Sequence, residues 1–277
     1  MAPYRFATIL SVLCALLPAS TYGAAISKRQ SAISTSQIGS YKPFTFFASA
    51  AYCQPSATLA WNCGANCDAN SGFQPVASGG DGESTQFWYV GWDPAQATVI
   101  VAHEGTDPSD FLSDLVDAQF ELVNLDSTLF PGIDSSIKVH DGFAGSQSRS
   151  APDVLSAVQT ALNAYGSKSV TIVGHSLGMR LNLGLQVGNQ AFADYVDANV
   201  HLTHINNEED PIPIVPGKFL GYVHPVGEIH IQDSGSWEAC PGQDNPSTLC
   251  IVGDVPEVFD GSLSNHDGPY DGITMGC

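Results

Sequence analysis

Gly174-His175-Ser176-Leu177-Gly178 follows directly on the β-branched run from Ser169 to Val173. A serine hydroxyl is a weak nucleophile unless it stands clear of its own backbone, beside a base and facing amides that take up developing negative charge. A sharp turn from strand into helix achieves this, with glycine on both flanks because a side chain there would strike neighbouring backbone. The pattern predicts Ser176 as a nucleophile. The amide of Leu177, at the N-terminus of the following helix, is then one donor to the oxyanion. A glycine-rich turn without chemistry is the bland alternative, and the preceding strand is what tells against it.

A tetrahedral intermediate needs a second amide, supplied by a loop leaving a neighbouring central strand. His103-Glu104-Gly105-Thr106 is such a loop, and Thr106 is the expected donor, with Gly105 permitting the close approach. The acid and base of a serine hydrolase of this type follow the serine in chain order. Asn206-Asn207-Glu208-Glu209-Asp210-Pro211 follows a strand-like run from Val200 to Ile205, and Asp210 is the chosen carboxylate because Pro211 stiffens the chain behind it. Glu208 and Glu209 are expected to be solvated. His224, His230 and His266 are the candidate bases. His266 is preferred because it sits in the loop Ser264–Gly268, whereas the other two flank a strand where a hydrogen-bonded structural histidine is the better expectation.

These residues must be carried by a sheet. Thr85 to Trp92 and Ala97 to His103, separated by Asp93-Pro94, predict a hairpin, and the apolar run Thr98 to Ala102 predicts a central strand buried on both faces. From Ala151 to Tyr165 apolar residues recur at helical spacing until Gly166. Strand, helix and strand in this order predict an α/β fold with crossovers. Asp107, Asp110, Asp114 and Asp117 face away from Phe111, Leu112, Leu115 and Val116 in an amphipathic pattern. Beside an oxyanion loop that pattern suits a lid, or equally a helix packed permanently on the surface.

The chain has 277 residues, 43% hydrophobic and 13% charged, which fits a globular domain and argues against disorder. Arg5, the apolar run Phe6 to Pro18 and the small residues Gly23 to Ala25 have the plan of a secretory signal peptide, too short to span a bilayer. The expected organisation is a signal peptide over 1–24, a short propeptide over 25–29 ending at Lys28-Arg29, and a single domain over 30–277. Removing Arg5, Lys28 and Arg29 from nine basic residues leaves six against 28 acidic ones. Such a surface repels nucleic acid and anionic membranes but not a neutral lipid surface. Apart from Cys14, six cysteines remain, as a secreted chain would use for disulfides. Short loops favour Cys63 with Cys67 and Cys240 with Cys250, leaving Cys53 for Cys277. A zinc site at Cys63 and Cys67 is the less favoured rival.

Together these residues resemble the secreted fungal class 3 lipases, a family of triacylglycerol lipases that also contains feruloyl esterases. The resemblance runs from about Tyr52 to Cys277. It is carried by Glu104-Gly105-Thr106, the acidic helix to Asp117, Val139-His140-Asp141-Gly142-Phe143, the pentapeptide at Ser176, Val187-Gly188-Asn189-Gln190-Ala191-Phe192, Glu209-Asp210-Pro211-Ile212-Pro213, Gly221-Tyr222-Val223-His224-Pro225 and Asn265-His266-Asp267. It implies an α/β-hydrolase fold with a mostly parallel central sheet and flanking helices. It also implies Ser176, Asp210 and His266 as the triad, Thr106 and Leu177 as the oxyanion hole, and the three disulfides above. No metal or organic cofactor is called for. The implied substrate is a lipid or other ester, met as a monomer outside the cell, and triacylglycerol is favoured over feruloyl or short-chain esters.

One departure stands out: only the eight residues Met179 to Gln186 separate the elbow from Val187-Gly188-Asn189. A helix behind the serine needs about 10 residues, and a crossover to a parallel strand at least about a dozen more. The spacing predicts that one strand and its crossover are missing. Either the elbow helix runs on through Gln190 to Asp197, or the chain is a misjoined or non-catalytic relative.

Overall fold

The apolar run Thr98–His103 is a strand buried at all six positions, as its lack of polar alternation demands. The computed structural model of the chain describes residues 30–106, 121–178 and 187–277. In chain order the elements are β1 (Ser31–Ala32), α1 (Thr35–Ala50), α2 (Pro55–Ala60), α3 (Ala65–Ala69), β2 (Gln74–Gly79), β3 (Trp88–Asp93), β4 (Thr98–His103), β5 (Leu122–Asn124), β6 (Lys138–His140), α4 (Asp141–Tyr165), β7 (Val170–Gly174), α5 (Gln190–Asn199), β8 (His204–Asn207), β9 (Glu228–Ile231), β10 (Trp237–Cys240) and α6 (Ile251–Asp254). The expected signal peptide and propeptide, the lid pattern over 107–117 and the segment 179–186 lie outside the described residues.

Strands β2, β3, β4 and β7 form one sheet in that order. Side chains alternate across it. Tyr89, Ile100, Ala102 and Val173 pack against Phe47, Ala50 and Ala51 of α1 and its C-terminal end. On the other face Trp88, Val90, Val99 and Val101 pack on Ala157 and Ala161 of α4. Each fully buried side chain of this kind contributes about 1.5–3 kcal/mol, which makes the two helices the principal clamps on the strands that carry the elbow.

The second sheet runs β1-β10-β9-β8. Parallel pairing is confined, among the described residues, to β4 with β7 and β8 with β9; the remaining ladders are antiparallel. The α/β-hydrolase expectation stands, but among the described residues its parallel character is limited to these two ladders, each at one end of its sheet. The reason is connection length: β3 to β4 and β9 to β10 are joined by loops too short for a parallel crossover.

Nothing among the described residues pairs β7 with β8. Between them lies a cavity of about 660 Å³, walled by Val170 to Gly174, by Thr203 and Ile205, and by Phe44 of α1. The Val99 amide donates to the Ser169 carbonyl and Val99 is in register with Val170. Parallel geometry therefore turns the backbone of Thr171 and Val173 toward β4 and that of Val170 and Ile172 toward the cavity. The same logic, from the His204 amide bonding to the Gly227 carbonyl, turns Ile205 and Asn207 toward it from the other side. The cavity stands where the spacing argument expects a strand to be missing.

Several boundaries differ from expectation for identifiable reasons. Strand β3 begins at Trp88 rather than Thr85 because the Asp81 carboxylate accepts from the amides of Glu83 and Thr85 and turns the chain there. Helix α4 begins ten residues before Ala151, at Asp141, capped by His140 Nδ1 accepting from the Gly142 amide, and it accommodates Pro152 in its interior. Packing of Phe143 against Leu177 and Val187 outweighs that local break. Strand β8 starts at His204, where pairing with β9 starts, and not at Val200. The elbow helix does not run on into Gln190. Val187 and Asn189 are tied to β6, and Asn189 caps α5 afresh by accepting from the Phe192 amide.

Candidate active site

Strand β7 ends at Gly174, and the chain turns at Ser176, which has φ +54°, into a helical turn begun by Leu177. That left-handed conformation costs a non-glycine residue about 1–2 kcal/mol and concentrates at functional turns. A Cβ on Gly178 would lie 2.2 Å from the His103 carbonyl oxygen and 2.7 Å from that of Glu104, so the elbow is packed backbone to backbone on the end of β4. A Cβ on Gly105 would lie 2.7 Å from the His175 carbonyl oxygen and 2.9 Å from Ser176 Cβ. The Gly105-Thr106 loop and the elbow are therefore in direct apposition, as two oxyanion donors require.

The carboxylate and the imidazole come from loops at the ends of other elements. Asp210 follows β8, and its Oδ1 accepts from the Ile212 amide at 2.9 Å. Its Oδ2 accepts from His266 Nδ1 at 2.8 Å, and the two side chains are only 2% and 3% exposed. Asn207 Nδ2 donates to the Asn265 carbonyl at 2.8 Å, and the Ser262 amide donates to the Glu209 carbonyl at 2.8 Å, stitching the acid loop to the base loop. The His266 carbonyl is 2.8 Å from His175 Nε2, and the His175 and His266 rings lie 4.5 Å apart, which seats the imidazole against the elbow. Ser176 Oγ and His266 Nε2 are both buried and have no hydrogen-bond partner among the described residues. Catalytic hydrogen bonds often close only when substrate is bound.

The rejected bases have structural partners. His224 Nδ1 lies 2.7 Å from Asp244 Oδ1 and its Nε2 lies 2.8 Å from the Pro213 carbonyl. His230 Nε2 lies 2.8 Å from the Glu208 carbonyl. The two rings thus hold the acid loop from either side of Asp210. Glu209 is exposed and Glu208 half-buried. Burial pushes the Glu104 carboxyl up, although its Oε2 accepts from the Phe87 amide at 3.0 Å. Three bridges, Cys53–Cys277, Cys63–Cys67 and Cys240–Cys250, pair the cysteines as expected. Two groupings of metal-ligand type occur among the described residues. In His175–His266–Asp267 both His175 nitrogens are already engaged, and in Glu228–Cys240–Cys250 the sulfurs are bonded to each other.

Residues 100–181 match the class 3 lipase family profile. A secreted mono- and diacylglycerol lipase of Malassezia globosa, MDL3, is 30% identical over 224 residues, covering 68% of this chain and 72% of that one. The chain belongs to the class 3 lipase family. As a class 3 lipase it is a serine ester hydrolase. Its α/β-hydrolase fold is shared with lipase II of Rhizopus niveus, at a TM-score of 0.74 and 25% identity over 89% of this chain and 98% of that one. A triacylglycerol lipase described as having a serine-protease triad at its catalytic centre gives a TM-score of 0.75 at 23% identity, with the same coverage.

Sequence reading did not single out Tyr52, His175 or Tyr270 for roles, yet all three converge on the class 3 lipase site. The Tyr52 hydroxyl is 2.6 Å from His175 Nδ1, and the Tyr270 hydroxyl donates to the His266 carbonyl at 2.8 Å. The only available signal was the nearness of His175 to Ser176 and of Tyr270 to His266 along the chain. Nothing in the pattern around Tyr52 marks it.

Proposed function

We propose that this class 3 lipase hydrolyses acylglycerols through a covalent acyl-enzyme on Ser176. His266 Nε2 removes the hydroxyl proton as Oγ attacks the ester carbonyl, and then returns it to the departing alcohol oxygen. Asp210 holds the ring by its Nδ1 hydrogen and stabilises the imidazolium. The amides of Thr106 and Leu177 take up the oxyanion. Water, deprotonated by His266, cleaves the acyl-enzyme and releases the fatty acid. The buried His266–Asp210 pair at 2.8 Å, seated against the elbow, is the observation that carries the reading.

The acylglycerol preference is supported by the Malassezia globosa relative, a mono- and diacylglycerol lipase. Action outside the cell, as a monomer at a neutral lipid–water interface, is supported by the three disulfides, the acidic surface and the secretory plan of residues 1–24, with processing over 25–29. The test is p-nitrophenyl ester hydrolysis by the purified chain and by Ser176→Ala. The variant is expected to lose at least about 10³-fold in kcat, and equal rates would refute the assignment. Rates on diolein, triolein and methyl ferulate then define the substrate: faster turnover of methyl ferulate than of either glyceride would overturn the acylglycerol reading.

A further inference from the structure

The ring of His175 lies between two loops that the chemistry must keep in register. Its Nε2 is 2.8 Å from the His266 carbonyl oxygen and its Nδ1 is 2.6 Å from the Tyr52 hydroxyl. A carbonyl oxygen only accepts, so Nε2 carries hydrogen. Burial, and after it the nearby His266, hold the pKa of His175 down at about 3, so the ring carries a single hydrogen at neutral pH. Nδ1 is then bare, and the Tyr52 hydroxyl is the donor to it. The Tyr270 hydroxyl gives the same carbonyl a second hydrogen bond at 2.8 Å. The backbone of the base is thereby fixed from two directions, one of them the residue next to the nucleophile.

We propose that Tyr52 and His175 are positioning residues: the Tyr52 hydroxyl, donating to the bare Nδ1, holds the His175 ring so that its Nε2–H pins the His266 carbonyl, setting the base against Ser176. The inference rests on the proposed roles of Ser176 and His266. Its physical basis is that a misplacement of about 1 Å in a reacting group can cost on the order of 10²-fold in rate. Phenylalanine at position 52 keeps the ring and removes the hydroxyl that donates to His175. His175 Nδ1 then loses its donor, and the ring is held at Nε2 alone, so that its N–H can tilt away from the His266 carbonyl.

Two readouts test this. In ring-nitrogen NMR of the unaltered chain, His175 is expected to show a protonated Nε2 and a bare Nδ1, and Tyr52→Phe to move the Nδ1 signal as it loses its hydrogen bond while Nε2 stays protonated. In p-nitrophenyl butyrate kinetics, Tyr52→Phe is expected to lower kcat about 10-fold with little change in KM. His175→Ala is expected to fall about 10²-fold, and His175→Gln, whose amide N–H can reach the same carbonyl, to recover most of that loss. Melting temperatures would show whether each variant is folded. An unmoved Nδ1 signal and an unchanged kcat in Tyr52→Phe would overturn the proposal, as would equal rates for the alanine and glutamine variants. If the unaltered chain has no turnover, the enzymatic reading fails by itself, and the nitrogen spectra still decide whether the Tyr52 hydroxyl donates to His175.

Discussion

At Ser176 the backbone adopts φ +54°, and the residues around it are chosen for closeness more than for chemistry. Gly178 is the sharpest case. Alanine there would place a methyl group 2.2 Å from a carbonyl oxygen of β4, and two main chains, not a flexible side chain, would have to part. We expect Gly178→Ala to destabilise the protein by about 1–3 kcal/mol, measured by urea unfolding, and to lower kcat as Ser176 shifts. A second residue-scale prediction concerns acid. Burial holds His103 down at about 4 and His204 at about 3. A histidine with a depressed folded pKa leaves the unfolded chain holding more protons as pH falls below about 6.5, so its stabilising effect is complete above that pH and is lost on the way down to its folded value. Burial of Glu104 and Glu228 acts with the opposite sign, which calls for a comparison between variants. The drop in unfolding free energy from pH 7 to pH 5 is expected to be smaller by about 1–2 kcal/mol in His103→Gln than in the unaltered chain.

Among the elements, β7 has the most unusual surroundings. One edge is fully engaged with β4, and the other faces the cavity in front of β8. An edge of this kind leaves alternate backbone groups to water, and hydrogen exchange reads that alternation directly. Amides of Thr171 and Val173 are expected to exchange slowly, and those of Val170 and Ile172 much faster; uniform protection along the strand would show that something fills the cavity. On the far side of β4 the elements agree closely with their sequence patterns. The apolar run at Thr98–His103 became the central strand, and Val154, Ala157, Val158, Ala161 and Leu162 face β3 and β4, whereas Leu155 of the same periodic set is exposed. The start of α4 was not legible because Pro152 reads locally as a break, whereas burial of Phe143 and the cap at His140 carry the helix through it.

Across the whole molecule the two sheets are joined by α1, by the loops that meet at Asp210 and His266, and by the covalent link from Cys53 to Cys277. That link spans 224 residues. It fastens the segment carrying His266 and Tyr270 to the end of α1, next to Tyr52, and the carbonyl of Gly276 accepts from Ser49 and Asn66 beside it. A bridge closing so long a loop restricts the unfolded chain strongly, and removal of a native disulfide typically costs about 2–5 kcal/mol. Cys53→Ser is expected to lower the urea midpoint by a corresponding amount, and a midpoint within error of the unaltered chain would show that α1 alone holds the C-terminal segment.

What the sequence determined by itself were the features encoded in neighbouring residues. The strand before Ser176, its flanking glycines, the short-range cysteine pairs and the loop character around Asp210 and His266 are all local, and the shortage of residues between Gly178 and Val187 is arithmetic. Tertiary structure alone decided which distant groups meet. The 2.8 Å bond from His266 to Asp210 joins residues 56 apart, and the contact of Tyr52 with His175 joins residues 123 apart. No periodicity or propensity records such separations, because they follow from how α1 and the two sheets stack. The division of the described strands into two sheets has the same origin: the short count between Gly178 and Val187 is visible in the sequence, and the cavity between two strand edges only in the fold.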